Sequence, residues 1–166
     1  MTVVIGFTGY SNSGKTRLIS RLVHYFALNH ISCAVVKHDA HGHYREATGS
    51  DSAQFIEAGA AATVVVSPNA YVTYKKVPTD LDSLLPKLQA EGYDLIMVEG
   101  FKQGNHDKIA LFRNEEQSQI ISNLPHLPIA VVAPEPLREY SIKGVPFFDP
   151  DDLEALANWI KGRFNS

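Results

Sequence analysis

Residues Gly9 to Thr16 read G-Y-S-N-S-G-K-T, and no other stretch limits the possible folds so tightly. Two glycines let the backbone curl until successive N–H groups point inward at a phosphate chain. Lys15 can then reach the terminal phosphates, and the Thr16 hydroxyl can ligate an accompanying Mg²⁺. The loop works between a strand and a helix, because the helix N-terminus adds its partial positive charge. Both flanks are present. Val3-Val4-Ile5-Gly6-Phe7 is a buried-strand run, and Leu18, Ile19, Leu22, Val23 and Phe26 recur at helical spacing. A glycine-rich turn with a solvated lysine is the competing reading.

The rest of the chain alternates strand and helix signals. Cys33-Ala34-Val35-Val36 is a second apolar strand, followed by a histidine-bearing loop from Lys37 to Gly49. Ser50 or Asp51 can cap a short helix through Ala58, which Gly59 ends. Ala62 to Val66 is a third strand, Pro68-Asn69 a turn, and Tyr71 to Val77 a further extended piece. Thr79 suits the N-cap of a helix carrying Leu81, Leu84, Leu85 and Leu88, with Pro86 predicting a kink or early break. Leu95 to Val98, Ile109 to Phe112 and Ile129 to Val132 are strands, and Val145 to Phe148 is an edge candidate because proline cannot donate to a ladder. Leu153, Leu156, Trp159 and Ile160 mark a last helix. The pattern predicts an α/β fold, a doubly wound, mostly parallel sheet, with chemistry gathered at the carboxyl ends of the strands.

With 166 residues, the chain is expected to form a single domain over 1–166. Hydrophobic residues at 45% and charged residues at 20% place it among globular proteins. The formal charge of −3 argues against nonspecific nucleic-acid binding. No stretch is long and apolar enough for a membrane span, and the start lacks a basic signal sequence, so cytoplasmic residence is expected. Cys33 is the only cysteine, which excludes an internal disulfide and a thiolate metal cluster and suits a small core residue.

Asp94 to Gly100, D-L-I-M-V-E-G, delivers Glu99 from the end of a buried strand. A carboxylate there lies beside the Thr16 position and holds Mg²⁺, often through water. Asp94 stands at the entry end of the same strand and suits a turn or cap. Gly100 permits close backbone approach to a terminal phosphate, and Lys102 adds positive charge or simply faces solvent. After the second strand come Lys37, His38 and Asp39, then His41 and His43. They can contact phosphates or Mg²⁺ through Lys37 and Asp39, form a switch segment, or bind a transition metal, although the spacing fits no standard site. Gly49-Ser50-Asp51-Ser52 can bind an anion or cap a helix. No N-K-x-D box follows a late strand, so the residues do not choose between guanine and adenine; Ala133 to Leu137 follows the strand beside which a base would lie.

Together these segments resemble the molybdopterin-guanine dinucleotide biosynthesis protein B (MobB) family over nearly the full chain. The matching features are the Gly9–Thr16 loop, Lys37-His38, Gly49 to Ser52, Ala58-Gly59-Ala60, Asp94 to Lys102 and Lys108 to Arg113. V-E-G-F-K with the Lys37-His38 pair is the most specific part. The resemblance implies a P-loop GTP-binding protein with weak GTPase activity that works in molybdenum cofactor maturation. It further implies a guanylyltransferase partner (MobA-like) acting on molybdopterin, and a homodimer built through β-strands. Tyr71 to Val77 and Ile109 to Phe112 are the candidate dimer segments.

The expected mechanism is binding of Mg·GTP. Residues Gly9, Tyr10, Ser11, Asn12, Ser13, Gly14, Lys15 and Thr16 hold the phosphates, with Lys37, Asp51 and Gly100 as further nucleotide contacts. Lys15 and Glu99 are the candidate catalytic groups, and Thr16 and Glu99 the metal ligands. No arginine has an obvious finger position: Arg17 and Arg21 lie on the first helix and Arg45 in the histidine loop. Slow intrinsic turnover is therefore expected. Rival readings are a small-molecule kinase on the same fold, a metal-insertion chaperone using the histidines, and a binding adaptor whose nucleotide is structural.

Overall fold

The computed structural model describes residues 2–42 and 44–165. The chain divides into two compact units, residues 1–38 with 84–166, and residues 39–83.

The first unit holds a six-stranded sheet in the order β2-β5-β1-β6-β7-β8. Its strands are β1 (Val3–Thr8), β2 (Cys33–Lys37), β5 (Leu95–Glu99), β6 (Lys108–Leu111), β7 (Ala130–Val132) and β8 (Phe147–Phe148). Every pairing is parallel. A parallel sheet needs crossovers and buries both faces, so its central strands read as unbroken apolar runs. Helices α1 (Lys15–Leu28) and α5 (Leu153–Lys161) cover one face. Leu18, Ile19, Leu22 and Phe26 of α1 and Leu156, Ala157 and Ile160 of α5 pack there on Ile5, Phe7, Leu95, Met97, Ile109 and Leu111. On the other face Ala110, Phe112, Val131 and Ala133 meet Ile120, just beyond the short α4 (Glu115–Ser118). The sheet is thus doubly wound as expected. Asp94 caps the entry end of β5: one carboxylate oxygen accepts the Ser32 N–H at 2.8 Å and the Ser32 hydroxyl at 2.7 Å.

In the second unit, Ser50 caps α2 (Asp51–Glu57), its hydroxyl accepting the Ala53 N–H at 3.2 Å. Strand β3 (Ala62–Ser67) pairs antiparallel with β4 (Ala70–Lys75) through a two-residue turn. The pair forms its own sheet and does not join the parallel one. Outward side chains explain the difference from a core strand. Val64, Val65, Val66, Tyr71 and Val72 are all exposed, and in β3 only Thr63 is buried.

Helix α3 (Leu81–Ala90) runs through Pro86 instead of stopping there. Its start is fixed by Asp80, whose carboxylate accepts the Ser83 N–H at 2.7 Å, rather than by Thr79. Strand β6 lies between β1 and β7 with all four residues buried, so it offers no edge to a second subunit. Among the described residues no helix is long and apolar enough to cross a membrane.

Candidate functional site

Strand β1 ends at Thr8, and the chain turns through Gly9–Gly14 into α1 at Lys15. The loop passes through two left-handed positions, Asn12 with φ 61° and Gly14 with φ 94°. Gly14 is the N-cap of α1 and supplies no side-chain cap, which leaves the first-turn amides of a 14-residue helix for an anion. Gly9 is demanded by space: a Cβ there would stand 2.4 Å from Ser13 Oγ and 2.6 Å from the Leu111 carbonyl oxygen.

Lys15 folds back over the loop. Its ammonium donates to the carbonyl oxygens of Gly9 (3.1 Å) and Tyr10 (2.8 Å) and to Ser13 Oγ (3.4 Å). Partial burial pushes the Lys15 pKa below the ordinary lysine value; the Glu99 carboxylate opposes that shift and the Lys102 charge adds to it. Lys102 is held over the Tyr10 ring, 4.5 Å from its centre. The Asn123 amide donates to the Tyr10 hydroxyl at 2.6 Å, and the Gln117 amide donates to the Ser11 carbonyl at 3.3 Å. The loop is therefore tied down from the β6 side.

Thr16 and Glu99 meet as the sequence predicts. The Thr16 hydroxyl donates to Glu99 Oε1 at 2.8 Å. A hydroxyl and a carboxylate side by side, next to a phosphate loop, are the hard oxygen donors that Mg²⁺ takes. The donor set fits that ion. Ser11, Asn12, Gly14, Lys15, Thr16 and Glu99 line one cleft of about 550 Å³, and Arg17 and Arg113 complete its wall.

Arg113 is the residue that sequence reasoning missed. It follows β6, its N–H donates to Gln117 Oε1 at 3.0 Å, and a Cβ on Gly14 would stand 3.2 Å from its Nε. Its guanidinium forms no ion pair among the described residues. Both Arg17, on the first helix as expected, and Arg113 line the cleft beside the glycine loop. The available signal for Arg113 was its place just past the carboxyl end of a central strand.

Other candidates fall elsewhere. Lys37 ends β2, exposed and in register with Glu99. The His38 N–H donates to the Glu99 carbonyl at 2.9 Å, and its ring stacks on Phe101 with centres 4.4 Å apart. Gly100 has φ 91°, but its N–H donates to the Phe7 carbonyl at 3.0 Å and so extends the sheet. A Cβ there would come within 2.9 Å of the His38 Cβ. Beyond Gly100 the buried Lys108 gathers the turn, its ammonium donating to the Gly104 and His106 carbonyls. Asp51 is the first residue of α2 in the second unit, and exposed. Asp39 accepts the N–H groups of His41 (3.3 Å) and Tyr44 (2.6 Å). His43 lies outside the described residues. Among the described residues no group of three His, Cys, Asp or Glu side chains is placed to hold a metal ion.

A parallel sheet in this order, a glycine loop from β1 into α1 and an acidic residue at the end of the adjacent strand define a P-loop NTPase-type protein. Within that class the chain belongs to the MobB family: the model described as "Molybdopterin guanine dinucleotide synthesis protein B" matches residues 4–134. It is 34% identical to a molybdopterin-guanine dinucleotide biosynthesis adapter protein of Haemophilus influenzae, over 81% of this chain and 76% of that one. The corresponding adapter protein of Escherichia coli is 31% identical over 96% of this chain and 92% of its own. A crystal structure of a MobB protein homolog from Bacillus stearothermophilus superposes with a TM-score of 0.73 at 28% identity, covering 98% and 97% of the two chains.

Proposed function

We propose that this protein is a GTP-binding adapter with weak GTPase activity, assisting conversion of molybdopterin to molybdopterin guanine dinucleotide together with a guanylyltransferase partner. One observation carries the nucleotide reading: Lys15 and the Thr16–Glu99 pair converge on a glycine loop whose helix end lacks a cap. The loop amides and Lys15 hold the β- and γ-phosphates. Arg17 and Arg113 add charge to the wall of the cleft, where it offsets repulsion among phosphate oxygens. Thr16 and Glu99 would hold Mg²⁺, which when bound neutralises charge on the β- and γ-oxygens.

Glu99 already accepts the Thr16 hydroxyl, and the described residues place no second carboxylate in the cleft to hold an attacking water. That supports slow turnover and an accessory role completed by a partner. The adapter role itself is supported by the names of the relatives and by family membership. A homodimer in the cytoplasm completes the reading. The β3–β4 pair supports it, since among the described residues it joins no larger sheet and it exposes Val64, Val66 and Tyr71.

Titration of the purified protein with GTP and ATP, with and without Mg²⁺, tests the nucleotide reading. Lys15→Ala removes one partner of a desolvated charge contact, worth about 2 kcal/mol or more, so GTP affinity should fall at least about 30-fold while the protein still unfolds in one cooperative transition. Unchanged affinity would sink the assignment.

A further inference from the structure

A second cavity, of about 260 Å³, shares Gly14, Arg17 and Arg113 with the phosphate cleft and extends to Pro134, Pro150 and Asp151. It joins the helix N-terminus to the loops that follow β7 and β8, so a ligand anchored by its phosphates on Lys15 has its remaining volume here. Pro134 and Pro150 bring apolar rings with no N–H to satisfy, which suits the face of a flat heterocycle. Arg21 Nη1 donates to the Pro150 carbonyl at 2.7 Å and fastens the loop after β8 to α1.

Three carboxylates stand on that loop, and two are engaged. Asp149 accepts the Asp151 N–H at 2.8 Å with one oxygen and the Glu135 N–H at 2.9 Å with the other. Asp152 caps α5 by accepting the Ala155 N–H at 3.1 Å. The Asp151 carboxylate accepts no hydrogen bond among the described residues, and it is the one that lines the cavity.

We propose that this cavity is the nucleoside end of the site and that Asp151 reads guanine, an inference that rests on the nucleotide reading above. Guanine presents two adjacent donors, N1–H and the 2-amino group, which one ionised carboxylate accepts together. Adenine turns a lone pair at N1 toward the same carboxylate, and xanthine replaces the amine with a carbonyl oxygen. Both therefore meet repulsion where guanine meets two hydrogen bonds. The N-K-x-D box is absent because the carboxylate comes from the turn after β8 instead of from the turn after β7.

The test titrates the full chain and its Asp151→Asn variant with GTP, ATP and xanthosine triphosphate, with melting curves as the folding control. The wild type should prefer GTP to both others. The hydrogen bonds lost to an ionised acceptor are worth about 1.5–3 kcal/mol, so Asp151→Asn should weaken GTP about 10- to 100-fold. It should also strengthen xanthosine triphosphate, whose 2-carbonyl accepts from the new amide. Asp151→Ala should lose the preference for GTP without gaining xanthosine triphosphate, and it serves if the Asn variant folds poorly. An unchanged ratio of GTP to xanthosine triphosphate in both variants, with Lys15 still required for binding, overturns this inference alone. A wild type that binds no triphosphate overturns the nucleotide reading and this inference with it.

Discussion

Replacing Gly9 with alanine should damage both the fold and the phosphate loop, by an amount that follows from two distances. The new Cβ would lie 2.4 Å from Ser13 Oγ and 2.6 Å from the Leu111 carbonyl oxygen. Ordinary carbon–oxygen contacts lie near ~3.3 Å or beyond, so each overlap demands a shift of roughly 0.7–0.9 Å. Ser13 can turn its hydroxyl away. Leu111 cannot yield as easily, because β6 is laddered on both sides to β1 and β7. The loop must therefore lift away from β6, taking with it the Gly9 and Tyr10 carbonyls that hold Lys15. Overpacking of this kind costs about 1–3 kcal/mol. At about 2–4 °C per kcal/mol for a chain of this size, the melting temperature should fall by roughly 2–12 °C. A displacement near 1 Å at the phosphates should also weaken GTP binding or turnover by up to about 100-fold. Gly162→Ala is the matched control, since its Cβ would have nothing within 4 Å and its backbone is right-handed helical. That variant should melt at or slightly above the wild-type temperature. Thermal melts and GTP titrations of both variants decide the matter. A Gly9→Ala protein that melts within about 1 °C of wild type and binds GTP normally would refute the close packing of loop on strand.

Three further outcomes are expected. Glu99→Gln should abolish most of the gain in GTP affinity that Mg²⁺ confers while leaving binding in EDTA unchanged or tighter, because a negative charge beside the phosphates is removed; paired titrations read this directly. Arg113→Ala should weaken GTP about 10-fold or more without lowering the melting temperature, since the guanidinium forms no ion pair among the described residues; equal affinity would remove it from the site. The Cys33 thiol is pushed up to about 11 by burial, with the Asp94 charge adding to it. A thiol pKa raised above its unfolded value keeps the group neutral, so native stability should decline between about pH 9 and 11 as the unfolded thiol ionises first. Alkylation with iodoacetamide at pH 8 should run about 100-fold slower in native than in unfolded protein, and comparable rates would contradict the burial.

The parts of the fold legible in sequence were those in which residue type and position carry the same message. Gly9 to Thr16 specifies a turn, a charge and a helix start together, and the run ending in Glu99 is apolar because both faces of β5 are buried. Asp94 was legible as a cap because it stands at the entry end of that strand. Ala62 to Val66 misled because an apolar run says that a strand forms and not which strand it pairs with. Its valines face outward in a separate hairpin. Thr79 and Asp80 are adjacent residues of equal capping ability, and only the geometry chose Asp80. Pro86 predicts a break from its missing N–H, yet the helix continues through it to Ala90. Arg113 was only faintly legible: its place past the carboxyl end of β6 marks it, but a charged residue there looks the same whether it meets solvent or a cleft, and the fold decides that by bringing Gly14 beneath it.

The position of Lys15 has a thermodynamic consequence. Its ammonium is satisfied by the loop's own carbonyls and the Thr16 hydroxyl by Glu99, so each of these polar groups has a partner within the protein itself. Folding and ligand occupancy are then separate equilibria. Nucleotide should raise the melting temperature only by mass action, about 2.7 kcal/mol at a hundredfold excess over Kd, with the transition keeping its cooperativity. A chain built this way should keep its shape whether or not nucleotide is bound, so that loading changes its charge and not its fold.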